Sequence, residues 1–148
     1  MKALTISQPY ADLISHGDKW IENRTWSTNY SGVLAIHAGK GSQYLSAIQL
    51  QKFDTGAIVA VAQLRSVIHI ASLLDPSCVA HGTCLARTGR TAVEILQHRH
   101  CEGPWCWVLS GVIALPEPIK FRGAQGLWDV PLDVQAKIER AIRVEAKE

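Results

Sequence analysis

Residues 57–68 (AIVAVAQLRSVI) constrain the fold most. The run is long and apolar, follows Gly56, and reads as a strand. It lacks strict alternation, so it predicts burial on both faces or a strongly bent barrel strand. Other β-prone segments surround it in sequence. Residues 3–7, 19–26, 33–37, 105–115 and 127–130 read as strands, and 119–121 as a short extended piece. Pro116 and Pro118 are expected to break the fourth of these. Pro9 opens a short helix over 10–16, stopped by Gly17. Ser42 is placed to cap a helix running to about Lys52. Pro131 starts a final helix whose apolar side is Val134, Ile138, Ala141 and Ile142. Five to six strands with a short N-terminal helix, a middle helix and a C-terminal helix predict an α+β fold built on a small β-barrel.

One domain is expected over the 148 residues, with a loop-rich excursion at about 75–103 that carries one short helix at 91–97. The excursion reads as a possible lid over the core. The 47% hydrophobic content suits a packed core and argues against disorder. A net charge of +2 is too small to identify a nucleic-acid binder by composition, so any basic surface must arise locally. No apolar run reaches the length of a membrane span, and the N-terminus lacks the apolar stretch of a signal peptide. A cytoplasmic protein without membrane attachment is expected. Cys78, His81 and Cys84, followed by His98, His100 and Cys101, match no standard zinc spacing. Reduced thiols, no metal and no cofactor are the expectation.

The chemistry concentrates in residues 17–26, GDKWIENRTW. If 19–26 is extended, Trp20, Glu22, Arg24 and Trp26 share one face, and Lys19 lies on the other. Two aromatics flanking an acid and a base can stack and hydrogen-bond a planar base. The alternative is a half-buried strand with an internal Glu–Arg pair. For Lys19 and Glu22 to share a site, the chain must bulge or twist near residues 20–21. Trp105 and Trp107 read as core packing, and His37 as a core or barrel-rim histidine. Arg87-Thr-Gly-Arg90 reads as a flexible basic loop able to meet phosphate. No phosphate-binding glycine loop, nucleophile elbow or zinc-protease motif occurs.

The ordered set ISQPYADLI, GDKWIENRTW, TNYSGVLAIHAGK, EGPWCWVL and PEPIKFRGAQGLWDVP resembles the ASCH (activating signal cointegrator 1 homology) domain. The resemblance implies a PUA-like barrel with a cleft beside it, and binding of RNA, single-stranded DNA or a nucleoside. It implies nucleic-acid contacts for Lys19, Arg24, Trp26, Lys40, Arg87, Arg90, Arg122, Gln125 and Trp128. One bacterial subgroup of the family hydrolyses acetylated cytidine, and some relatives are described as ribonucleases. An enzyme of either kind would use Lys19, Glu22 and Arg24 as its catalytic set. Glu22 departs from the threonine of the amidohydrolase subgroup, and Ser31 stands where related versions carry an arginine. Glu94 and Glu102 are the acids available to match that subgroup's distant glutamate. A binding module is therefore expected ahead of a hydrolase.

Overall fold

The run that opens the sequence argument forms strand β4, Ala57–His69. The computed structural model describes residues 1–77 and 80–145. The first six residues of β4 are all buried, as the missing alternation predicts, and from Gln63 onward buried and more exposed positions alternate. The remaining strands are β1 (Lys2–Ile6), β2 (Ile21–Arg24), β3 (Gly32–Ala38), β5 (Trp105–Lys120) and β6 (Leu127–Asp129). They join in the order β2-β5-β4-β3-β1-β6. β1 runs parallel to β3 and antiparallel to β6, and β2 runs antiparallel to β5.

The helices are α1 (Tyr10–Ser15), α2 (Ala47–Leu50), α3 (Ile70–Leu74), α4 (Ala80–Thr88), α5 (Ala92–Gln97) and α6 (Leu132–Glu145). Contacts divide the chain into two compact units. The first comprises Met1–Asp18, Val33–Ala62 and Gly111–Glu148; the second comprises Lys19–Gly32 and Gln63–Ser110. In the first unit, Val134 and Ile138 of α6 pack with Ala3, Ala35, Ile58 and Val61, and Ala141 and Ile142 flank them. These are the residues whose helical spacing marks the apolar side. In the second unit, Ile21, Ile68, Leu73, Cys84, Ile95, Cys106 and Val108 form the core.

Four local expectations need correction. β5 continues through Pro116 and Pro118 to Lys120. Prolines two residues apart place their missing N–H groups on the same strand side. The β2 ladder spans only Trp105–Val108 of β5, so the rest of that edge accommodates residues without a donor. The cap after the Gly39–Gly41 turn is Ser46, not Ser42. Its hydroxyl accepts from the Gln49 N–H at 3.3 Å and the Gln49 side chain accepts from the Ser46 N–H at 3.0 Å. Residues 75–103 carry α4 and α5 where one helix was expected. Finally, β2 begins at Ile21, so Lys19 and Trp20 lie outside the strand.

Two expectations hold at α1 and α5. α1 starts after Pro9 and is followed by Gly17 at a φ of +85°, a conformation that favours glycine. Its first turn is held by Gln8, whose side chain accepts from the Asp12 N–H at 2.9 Å and donates to the Asp54 carbonyl at 2.7 Å. α5 is capped by Thr91 and Glu94 in a reciprocal pair.

Candidate functional site

The second unit gathers Lys19, Glu22 and Arg24 of the GDKWIENRTW segment. Glu22 and Arg24 are two apart on β2 and share a face, as alternation requires. The Arg24 guanidinium stands 3.3 Å from Glu22 Oε1. Lys19 reaches the same carboxylate from the approach to the strand, with its ammonium 2.7 Å from Glu22 Oε2. The ammonium also donates to the Ile21 carbonyl. Period-2 alternation does not govern Lys19, because the strand begins two residues later. One carboxylate therefore sits between two cations, leaving a formal charge of +1 on the trio.

Burial grades this array. Side-chain exposure is 3% for Lys19, 11% for Glu22 and 24% for Arg24. Lys19 is placed to hold Glu22, and Glu22 to orient Arg24, the most exposed side chain of the three. Ion pairs this buried fix geometry at least as much as they stabilise, since desolvation offsets much of the attraction.

Aromatic rings from the same segment and its neighbours pack within the same unit. Trp26 lies beyond the end of β2 and packs edge-on against the buried Trp107, ring centroids 4.8 Å apart. Trp107 also donates its indole N–H to the Trp26 carbonyl at 3.4 Å. Trp20 meets His98 edge-on at 4.4 Å, and the Arg90 guanidinium lies 4.4 Å from its ring. Hydrogen bonds tie the Arg90 segment to the end of α4. The Thr88 hydroxyl accepts from the Arg90 N–H at 3.0 Å and donates to the Cys84 carbonyl at 2.7 Å. Arg87 occupies the last turn of α4, where a cation complements the helix dipole.

Asn23, which sequence reasoning did not single out, anchors the segment before β5. Its side-chain oxygen accepts from the N–H groups of Glu102 and Gly103 at 2.9 and 2.8 Å, and its amide donates to the His100 carbonyl at 2.7 Å. Burial lowers the pKa values of His98 and His100, with further lowering from each other or from Lys19. Glu94 is engaged in the α5 cap: its carboxylate accepts from the Thr91 N–H at 2.6 Å, which lowers its pKa.

The other candidates belong to the first unit. Lys40, Arg122 and Gln125 line a cleft together with Thr5, His37, Thr55, Lys120 and Phe121. Trp128 stacks on Phe121 at 5.5 Å with a 15° interplanar angle and donates to the Thr5 hydroxyl at 3.2 Å. His37 donates through Nε2 to the Phe121 carbonyl at 2.8 Å. The structure thus divides the sequence candidates between two groups: Lys19, Glu22, Arg24, Trp26, Arg87 and Arg90 in one unit, and Lys40, Arg122, Gln125 and Trp128 in the other.

Among the described residues no group of His, Cys, Asp or Glu side chains could hold a metal ion. Cys78 lies outside the described residues. Cys84 and Cys106 are buried and Cys101 is half-buried, all as free thiols. No described helix is long and apolar enough to cross a membrane.

A model of the ASCH domain matches residues 4–98. Crystal structures of ASCH from Zymomonas mobilis and of a single-residue mutant of it are similar in fold, each with a TM-score of 0.54 and 14% identity. They cover 94% of this chain and 93% and 96% of their own. A second mutant gives a TM-score of 0.52 at 16% identity, covering 94% of each chain. This likeness fits the PUA-like α+β fold expected from the sequence. Comparison with curated proteins finds no match.

Proposed function

We propose that this chain, which belongs to the ASCH domain family, binds single-stranded RNA or DNA, or a modified nucleoside, through the Lys19–Glu22–Arg24 array and its aromatic surround. The family assignment supports nucleic-acid binding in general; the array supports the finer reading. The observation that carries it is the single carboxylate held between Lys19 and Arg24, which engages a side chain still 24% exposed, in a segment whose Trp26 packs on Trp107. Arg24 meets a base edge or phosphate, Trp26 supplies an aromatic surface, and Arg87 and Arg90 follow the strand backbone.

The same geometry ranks binding above hydrolysis. Glu22 has a cation on each carboxylate oxygen, which suits a positioning role better than proton shuttling. Incubation of acylated cytidines with the protein and with Lys19→Ala tests the hydrolase reading directly. Turnover lost in the variant would replace the binding-only reading with an amidohydrolase.

The binding test is fluorescence anisotropy with short single-stranded RNA and DNA across a salt series. Three cations neutralising phosphates give a slope of log K against log salt of about −2, at roughly −0.7 per contact. Arg90→Ala should reduce that slope by about 0.7. Absent or salt-independent binding to both polymers would overturn the proposal.

A further inference from the structure

The first unit contains a second place suited to a ligand, independent of the array. Its cleft has a volume of about 880 Å³, within the usual range for small-molecule sites. Three cations line it, Lys40, Lys120 and Arg122, and no carboxylate does. Lys120 donates to the Thr55 carbonyl at 3.3 Å; Lys40 and Arg122 have no carboxylate partner among the described residues. Phe121 provides an aromatic wall, backed by the stacked Trp128.

His37 supplies the second, separate observation. It is 2% exposed, and its Nδ1 has no hydrogen-bond partner among the described residues. Because Nε2 donates to the Phe121 carbonyl, the neutral ring carries its free lone pair on Nδ1. A buried acceptor of this kind is costly unless some bound group donates to it. Gly123 lies directly against that nitrogen: a Cβ there would stand 2.6 Å from Nδ1 and 2.5 Å from Cε1. Glycine at 123 therefore keeps this face of the ring free of a side chain.

The geometry points to a binding site for a phosphate monoester on a nucleoside, with the phosphate on Lys40, Lys120 and Arg122, the base against Phe121, and a ligand hydroxyl or amine donating to His37. A dianionic monoester matches three clustered cations better than one internal diester of a strand, which carries a single charge. The source is either a free mononucleotide or the 5′-phosphorylated end of an oligonucleotide.

Isothermal titration calorimetry of the full chain with AMP, adenosine and inorganic phosphate, with amide chemical-shift mapping, tests this. AMP should bind about tenfold or more tightly than adenosine, and Arg122→Ala and Lys40→Ala should each weaken it about threefold or more. Both side chains are exposed, so neither variant threatens folding. The shifts should centre on Gly39, Gly56 and Gly123. A 5′-phosphorylated trinucleotide binding more tightly than AMP identifies the strand end as the ligand, and the reverse identifies the free nucleotide. Equal binding of adenosine and AMP, unaffected variants, or shifts confined to residues 19–26 would overturn the site. Failure here leaves the salt-dependent oligonucleotide test untouched, and failure there leaves this one standing.

Discussion

Replacing Glu22 by alanine tests the array at its centre. The carboxylate lies between the Lys19 ammonium at 2.7 Å and the Arg24 guanidinium at 3.3 Å, and its side chain is only 11% exposed. Its removal takes the shared counter-charge from two cations, one of them almost wholly buried. Losing one member of a buried ion pair typically costs about 3–5 kcal/mol. At about 2 kcal/mol per molar urea, the unfolding midpoint should fall by about 1.5–2.5 M. Lys19→Met should cost less, because Glu22 then retains Arg24. The double variant Lys19→Met/Glu22→Leu, with apolar residues in place of the innermost pair, should recover much of the loss. Urea unfolding followed by tryptophan fluorescence and far-ultraviolet circular dichroism measures all three. An E22A midpoint within about 0.25 M of the wild type would refute the claim that the pair is buried and coupled, as would a double variant no better than E22A.

Three further outcomes follow from individual contacts. Asn23→Ala removes three hydrogen bonds at about 0.5–1.5 kcal/mol each; hydrogen exchange should accelerate at Glu102 and Gly103 well before it changes in β3. His37, His98 and His100 all have pKa values lowered from the ordinary 6.5, mainly by burial. The unfolded chain therefore binds more protons between that value and the lowered ones, so their contribution is complete above about pH 6.5 and declines as pH falls; the urea midpoint should drop from pH 7.5 to pH 5.5, and a midpoint rising over that range would contradict the assignment. Burial and the neighbouring Cys101 push the Cys106 thiol up to about 12, so peptide mapping after iodoacetamide treatment at pH 8 should find Cys106 unmodified in the folded protein and modified in urea.

Legibility from sequence follows the physics of each segment. β4 and α6 are readable because burial imposes a pattern on many consecutive residues: an unbroken apolar run in one and helical spacing in the other. The excursion at 75–103 is less readable. Its helices are short, and α4 carries Gly82, Thr83 and Thr88, weak helix formers whose placement is decided by contacts such as Cys84 and Ile95 in the core. β5 defeats the expectation of a proline break because sequence reveals the missing N–H but not the open ladder edge that tolerates it. The cap misassignment has the same origin. Ser42 and Ser46 are both competent, and only Ser46 has a glutamine three residues later that completes the box.

The candidate site shows the sharper limit. Alternation correctly joins Glu22 to Arg24, yet applied two residues too far it places Lys19 on the opposite face. The error lies in the boundary, and a boundary is set by where hydrogen-bonded pairing begins: β2 meets β5 from Ile21 against Val108 to Arg24 against Trp105. Residues just outside a ladder are released from its two-face rule, so a side chain there can join charges that strict periodicity would separate. Lys19 uses that freedom to reach Glu22. The departure at Glu22 from the threonine of amidohydrolase relatives then has a structural meaning here. A threonine has no charge to hold Lys19 and Arg24 together; a glutamate does, and its two oxygens are engaged in doing so. The same substitution engages Arg24, the side chain on which the proposed binding rests.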